Sequence, residues 1–304
     1  KVATIPADVD TGAARAAPGT LAPQAATASA EAIHARGLMQ RLTPFRGADN
    51  RRGLVELAIT AGPLAILWLS AMLLARAEIW VGLVLTLPAG AFLLRLFLIQ
   101  HDCGHGSFFR GRAANGWAGR IIGVFTLTPY EFWRRAHAHH HATTGNLDRR
   151  GLGDVDTLTL REFRALSRPR QWAYRAYRHP LVLFGLGPAY QFLLRHRFPF
   201  GMTRGCWRPW ASTMGTNLAI VVVSGSLIWL FGASAFLLVQ LPITLVAASV
   251  GVWLFYVQHQ FEGTRWDRDE AWNFHAAALH GSSHYDLPPV LRWFTANVGV
   301  HHVH

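Results

Sequence analysis

The 304-residue chain is 51% hydrophobic and only 15% charged, where ordinary soluble domains carry about 25% charged residues. The composition is that of a membrane protein. The net charge of +12 comes almost wholly from arginines beside apolar runs, which fits membrane topology rather than nucleic-acid binding, and two cysteines are too few for a disulfide framework or a four-cysteine zinc site.

Residues 1–50, rich in alanine, proline and threonine with no apolar run of secretory length, read as a disordered tail. Two apolar stretches come next, at about 54–76 and 79–100. Each is long enough to cross a hydrocarbon core of roughly 30 Å, which takes about 20 helical residues. Only Ala77 and Glu78 separate them, so they form a helical hairpin. Arg95 is the one charge deep in the second stretch and is expected to snorkel toward its near end. A second hairpin spans about 211–231 and 235–257 across a Gly-Ala-Ser turn.

Four crossings place the amino-terminal tail, the segment between the hairpins and the carboxy-terminal region on one face. The middle segment carries seventeen arginines between Arg110 and Arg208, and the positive-inside rule assigns that face to the cytoplasm. Two shorter apolar stretches, Trp117 to Pro129 and Leu181 to Leu194, have the length of interfacial or re-entrant helices. They are equally readable as core packing or as walls for an apolar substrate.

Sixteen histidines are the chemical signal. Imidazole is near neutral at working pH and is a good nitrogen ligand. "HDCGH" puts His101 and His105 at i and i+4 just past the second span, on one face of a continued helix. In "HAHHH", a helix keeps His137, His140 and His141 within about 100° of one another and turns His139 roughly 200° away from His137. His259 lies just past the fourth span. His301 and His304 stand at i and i+3 in the terminal "HHVH". None of these falls inside a span, which argues against a haem held within the bundle. No H-E-x-x-H occurs, and so many imidazoles exceed what one catalytic zinc takes, so a zinc protease is disfavoured. A metal transporter would place ligands within the spans.

The three boxes, together with "GDVDTLTLREFRALS", "YRAYRHP", "LVLFGLGP", "FYVQHQFEGTRW" and "GSSHYDLPPVLRWFTANVGVHH", resemble the membrane-bound fatty acid desaturases, in particular their bacterial acyl-lipid branch. The resemblance covers the chain from the first span to its end. It implies an all-α integral membrane protein: four transmembrane helices in two hairpins, with a cytosolic helical cap carrying a histidine-rich di-iron site, over residues 51–304. By the same resemblance the ligands are His101, His105, His137, His140, His141, His259, His301 and His304, and the cofactors are two iron ions with O2 as co-substrate. The family's last histidine falls past His304, so the chain as given lacks one ligand and is expected to bind iron poorly.

Asp102 and Asn297, inside boxes, are the first candidates to orient ligand imidazoles; Glu131, Asp154 and Asp156 are weaker ones, for which a structural or solvated role is the better reading. His280 and His284 form another i, i+4 pair and, with His275, His34, His179, His196 and His302, read as cap residues. The implied reaction is oxygen-dependent insertion of a cis double bond into a membrane-lipid acyl chain. Ferredoxin or a cytochrome would deliver the electrons, and the site would face the cytosol of a bacterial inner membrane. A hydroxylase or ketolase of the same superfamily is the nearest alternative, because both outcomes begin with hydrogen abstraction.

Overall fold

The computed structural model describes residues 47–202 and 207–301, together with residues 37, 40, 41 and 43. The chain divides into two compact units, Lys1–Thr43 and Pro44–His304, and the long apolar helices belong to the second. Most of the expected tail, and His34, Cys206, His302 and His304 with it, lie outside the described residues.

Four long helices dominate the second unit: α1 (Asn50–Arg76), α2 (Thr86–His105), and, after the intervening elements α3 to α7, α8 (Trp207–Phe231) and α9 (Ala233–His259). All four are long and apolar enough to cross a membrane, the second counted from its leading turn at Trp80. The Asp49 side chain caps α1 by accepting from Arg52 N at 2.8 Å. Pro63 and Pro242 sit inside α1 and α9, positions more common in membrane helices than in soluble ones. Large apolar side chains such as Ile66, Leu218 and Trp229 are exposed along these helices.

Between α2 and α8 lie α3 (Arg112–Phe125), α4 (Tyr130–Thr143), α5 (Leu160–Ala165), α6 (Arg168–Arg178) and α7 (Gly187–Leu193). After α9 come α10 (Phe274–His280) and α11 (Pro289–Phe294). No strand occurs among the described residues, where two isolated bridges join Asn146 to Asp267 and His284 to Val300. Helix α2 is the centre of the fold, packing against α1, α3, α9 and α11. The stretch Leu181 to Leu194 is a π-helical turn, Val182–Leu186, running into α7.

One expectation needs correction and one gains detail. The second apolar stretch is long enough to span, as expected, but its first residues, Trp80–Leu85, wind as a 3-10 turn before α2 begins. The cause is the two-residue connection: Ile79 N–H donates back to Leu74 O at 2.8 Å, so the chain leaves the turn pressed against the end of α1. Arg95, however, does not snorkel. It is 5% exposed and its Nη2 pairs with Glu56 Oε2 on α1 at 2.6 Å.

Candidate metal centre

Helix α2 runs unbroken through the first box, so His101 and His105 share a face, with ring centroids 4.7 Å apart. Helix α4 must then present its own box at the right height and rotation, and three contacts set it. Gln100, the neighbour of His101, is fully buried; its Nε2 donates to Thr128 O at 3.1 Å and its Oε1 accepts from Thr126 Oγ1 at 2.6 Å. These bonds hold the turn leading into α4, where Leu127 adopts a left-handed φ of 54°, a conformation non-glycine residues adopt only when their surroundings enforce it. Arg197 Nη2 donates to Leu127 O from the other side. At the first residue of α4, Tyr130 Oη donates to Cys103 O at 2.7 Å, midway between the two histidines of the first box.

The result is two adjacent groups of imidazoles. His101, His105, His137 and His141 form one, and His140, His259 and His301 the other; within each group one ring nitrogen per residue lies within 4.8 Å of the rest. In the first, Nε2 of His137 is 3.0 Å from Nε2 of His105 and 3.0 Å from Nε2 of His141. In the second, Nε2 of His140 and His259 are 3.0 Å apart, and the His259 and His301 rings are 4.7 Å apart. Three of the four histidines of α4 thus lie close together but divide between groups, His137 and His141 to one and His140 to the other. The His141 and His301 rings, 5.8 Å apart, link the two. His139 is exposed, as its helical angle required. His280 and His284 are outside both groups. His196 is instead buried against Phe132 and Phe192, within hydrogen-bonding distance of Gln191.

Neighbours fix which nitrogen points inward. The Asp154 carboxylate accepts a hydrogen bond from His140 Nδ1–H, the tautomer that leaves the lone pair on Nε2. His259 Nδ1 faces Gly281 O at 3.4 Å and His101 Nδ1 faces Asp102 Oδ1 at 3.2 Å, with the same consequence. A carboxylate or carbonyl behind a ligating imidazole is the usual companion of a metal site. Asp154 reaches α4 because Gly153 precedes it at φ 89°; a Cβ there would stand 2.9 Å from Ala136 O. Burial, then the neighbouring imidazoles, hold the pKa of His137 well below its ordinary value, which keeps the ring neutral.

The ranking of orienting residues therefore changes. Asp154, a weak candidate in the sequence, touches His140. Among the described residues Asn297 makes no side-chain hydrogen bond to a histidine; its backbone takes a φ of 61° in the approach to His301. Glu131 is held by Arg120 and Arg134, and the backbone N–H of Asp156 donates to Tyr177 Oη. Two aromatic supports escaped sequence reading: Trp133 stacks on His137 at 4.6 Å, and Phe255 lies 5.0 Å from His140 and 5.2 Å from His259. Each stands four residues before a histidine on its own helix, a same-face spacing that could have exposed both.

Seven nitrogen donors without a thiolate or carboxylate among them suit first-row transition metals, and their division into two touching groups suits a pair of ions better than one.

The family description that matches the chain is fatty acid desaturase, over residues 78–304. A fatty acid desaturase of Bacillus subtilis (strain 168) is 45% identical over 267 residues, 88% of this chain and 75% of that protein. An sn-1 oleoyl-lipid 12-desaturase of Synechocystis sp. is 28% identical over 81% of this chain and 67% of that protein. From the same genus, an sn-1 acyl-lipid omega-3 desaturase (ferredoxin) is 46% identical over 59 residues, 19% of this chain and 16% of that protein. With His101, His105, His137, His140, His141, His259 and His301 gathered in two adjacent groups, and with these matches, the chain belongs to the fatty acid desaturase family and is an oxidoreductase.

Proposed function

We propose that residues 51–304 form an integral membrane acyl-lipid desaturase that inserts a cis double bond into a lipid acyl chain at a di-iron site. The observation that carries this reading is the pair of all-imidazole groups where α2 and α9 end. His101, His105, His137 and His141 would hold one ion and His140, His259 and His301 the other, with His304 a further ligand by the family resemblance. When bound, two irons together with O2 supply an oxidant strong enough to remove hydrogen from an unactivated methylene, chemistry no side chain provides.

The protein's part is to present neutral imidazoles with their lone pairs inward. Asp154 retains a proton on His140 Nδ1, Gly281 O does the same for His259, and Trp133 and Phe255 exclude water from one side of the rings. Membrane insertion as two hairpins, with the histidines on the cytosolic side of a bacterial inner membrane, is supported by the seventeen arginines between Arg110 and Arg208 and by the short turns at the opposite ends of the helices. An acidic electron carrier such as ferredoxin, named for one relative, or a cytochrome would supply electrons.

The test is expression in a host lacking polyunsaturated lipids. New double bonds in its membrane acyl chains are expected, together with about two irons per chain of the purified full-length protein. Hydroxylated products would favour the hydroxylase alternative, and zinc without iron would sink the reading.

A further inference from the structure

The Glu56–Arg95 pair lies within two helices read as membrane spans, where ionised groups are costly and rarely kept without a task. A buried ion pair is weak grounds for stability, since well-packed apolar residues do as well or better. All three guanidinium nitrogens of Arg95 are nevertheless engaged. Nη2 donates to Glu56 Oε2 at 2.6 Å, Nε donates to Thr60 Oγ1 at 3.1 Å, and Nη1 donates to Trp293 O. The plane also covers the Trp293 indole, 3.8 Å from its centroid. Two of these contacts, one polar and one through the ring, fall on a single residue of α11.

Trp293 begins the approach to His301. Beyond it Ala296 and Asn297 both take left-handed conformations, φ 48° and 61°, which non-glycine residues hold only when the chain on either side is fixed. Downstream, Val298 O accepts from Gln258 Nε2 at 3.0 Å and Gly299 O from Tyr285 N at 2.7 Å. Gln258 adjoins His259. Upstream, the anchor is Arg95, six residues before His101 on α2, a rise of about 9 Å. The strap carrying His301 is thus moored to the same helices that carry His101 and His259.

We infer that Arg95, charged and oriented by Glu56, is a positioning residue that seats Trp293 and so places His301 in the three-histidine group. The metal half of the test rests on the di-iron reading, whereas the exchange half does not. In metal-free protein, hydrogen exchange over residues 289–301 should rise roughly tenfold in the double variant Glu56→Gln/Arg95→Met, which leaves no unpaired charge. Trp293→Leu, which leaves the ion pair intact, should do the same if the double variant does not fold. On titration with ferrous iron, these variants should bind about one ion rather than about two, and adding His301→Ala should remove no further iron. Unchanged protection of the segment would overturn the inference, as would further iron loss on adding His301→Ala. Full-length wild-type protein that took up no iron would defeat the di-iron reading and leave the exchange result to decide the strap.

Discussion

Asp154 Oδ1 accepts a hydrogen bond from His140 Nδ1–H with both side chains out of solvent, 7% and 2% exposed. The carboxylate comes from a loop and the imidazole from near the end of α4, so the contact ties the segment after the second box to the box itself. Removing the carboxylate in Asp154→Ala should weaken iron at the three-histidine group by about 10–100-fold. Iron titration of the purified variant checks this; unchanged affinity would reduce Asp154 to a loop anchor.

His140→Ala should abolish new double bonds while the protein still accumulates in the membrane. Fatty acid profiling of the expressing cells measures the first and membrane fractionation the second. Continued desaturation would exclude His140 as a ligand.

The register of α4 depends on Tyr130. Tyr130→Phe forfeits one buried hydrogen bond to Cys103 O and should cost about 0.5–1.5 kcal/mol. Gly119→Ala should cost about 1–3 kcal/mol through overpacking, because a Cβ there would collide with the Tyr130 ring. Reversible denaturation in detergent distinguishes them; equal losses would mean that the ring, rather than its hydroxyl, sets the register.

Acid should destabilise the metal-free fold. Burial holds His137 well below its ordinary 6.5 and His196 down to about 3, so the unfolded chain binds protons at these sites before the folded one does. Their contribution is intact above about 6.5 and is lost as pH falls below it. The melting temperature of apoprotein in detergent should decline from pH 6.5 downward. Substituting His196 by Gln should flatten part of that decline, and an unaltered slope would show that His196 takes no share.

Much of this arrangement was legible because it rests on periodicity. Apolar runs of bilayer length gave the four long helices, and 3.6-residue spacing gave the shared face of His101 and His105 and the outward turn of His139. What was not legible depends on partners distant in sequence. Nothing local in "LLRLF" reveals that Arg95 meets Glu56 and Trp293, and nothing in "GDVD" says which aspartate reaches His140. The division of the second box between two groups was equally hidden, because a helical wheel reports direction but not which other segments stand opposite. The 3-10 winding of Trp80–Leu85 came from crowding at a turn that residue preferences do not encode.

Helix α4 contributes nitrogens to both groups from consecutive residues, His140 and His141, with ring centroids 5.6 Å apart. Backbone geometry therefore serves as the ruler between the two halves of the centre. A disturbance that rolls this helix about its axis must carry one half toward its partners and the other away, so neither can be retuned alone, and a substitution at its base near Tyr130 should be felt at both.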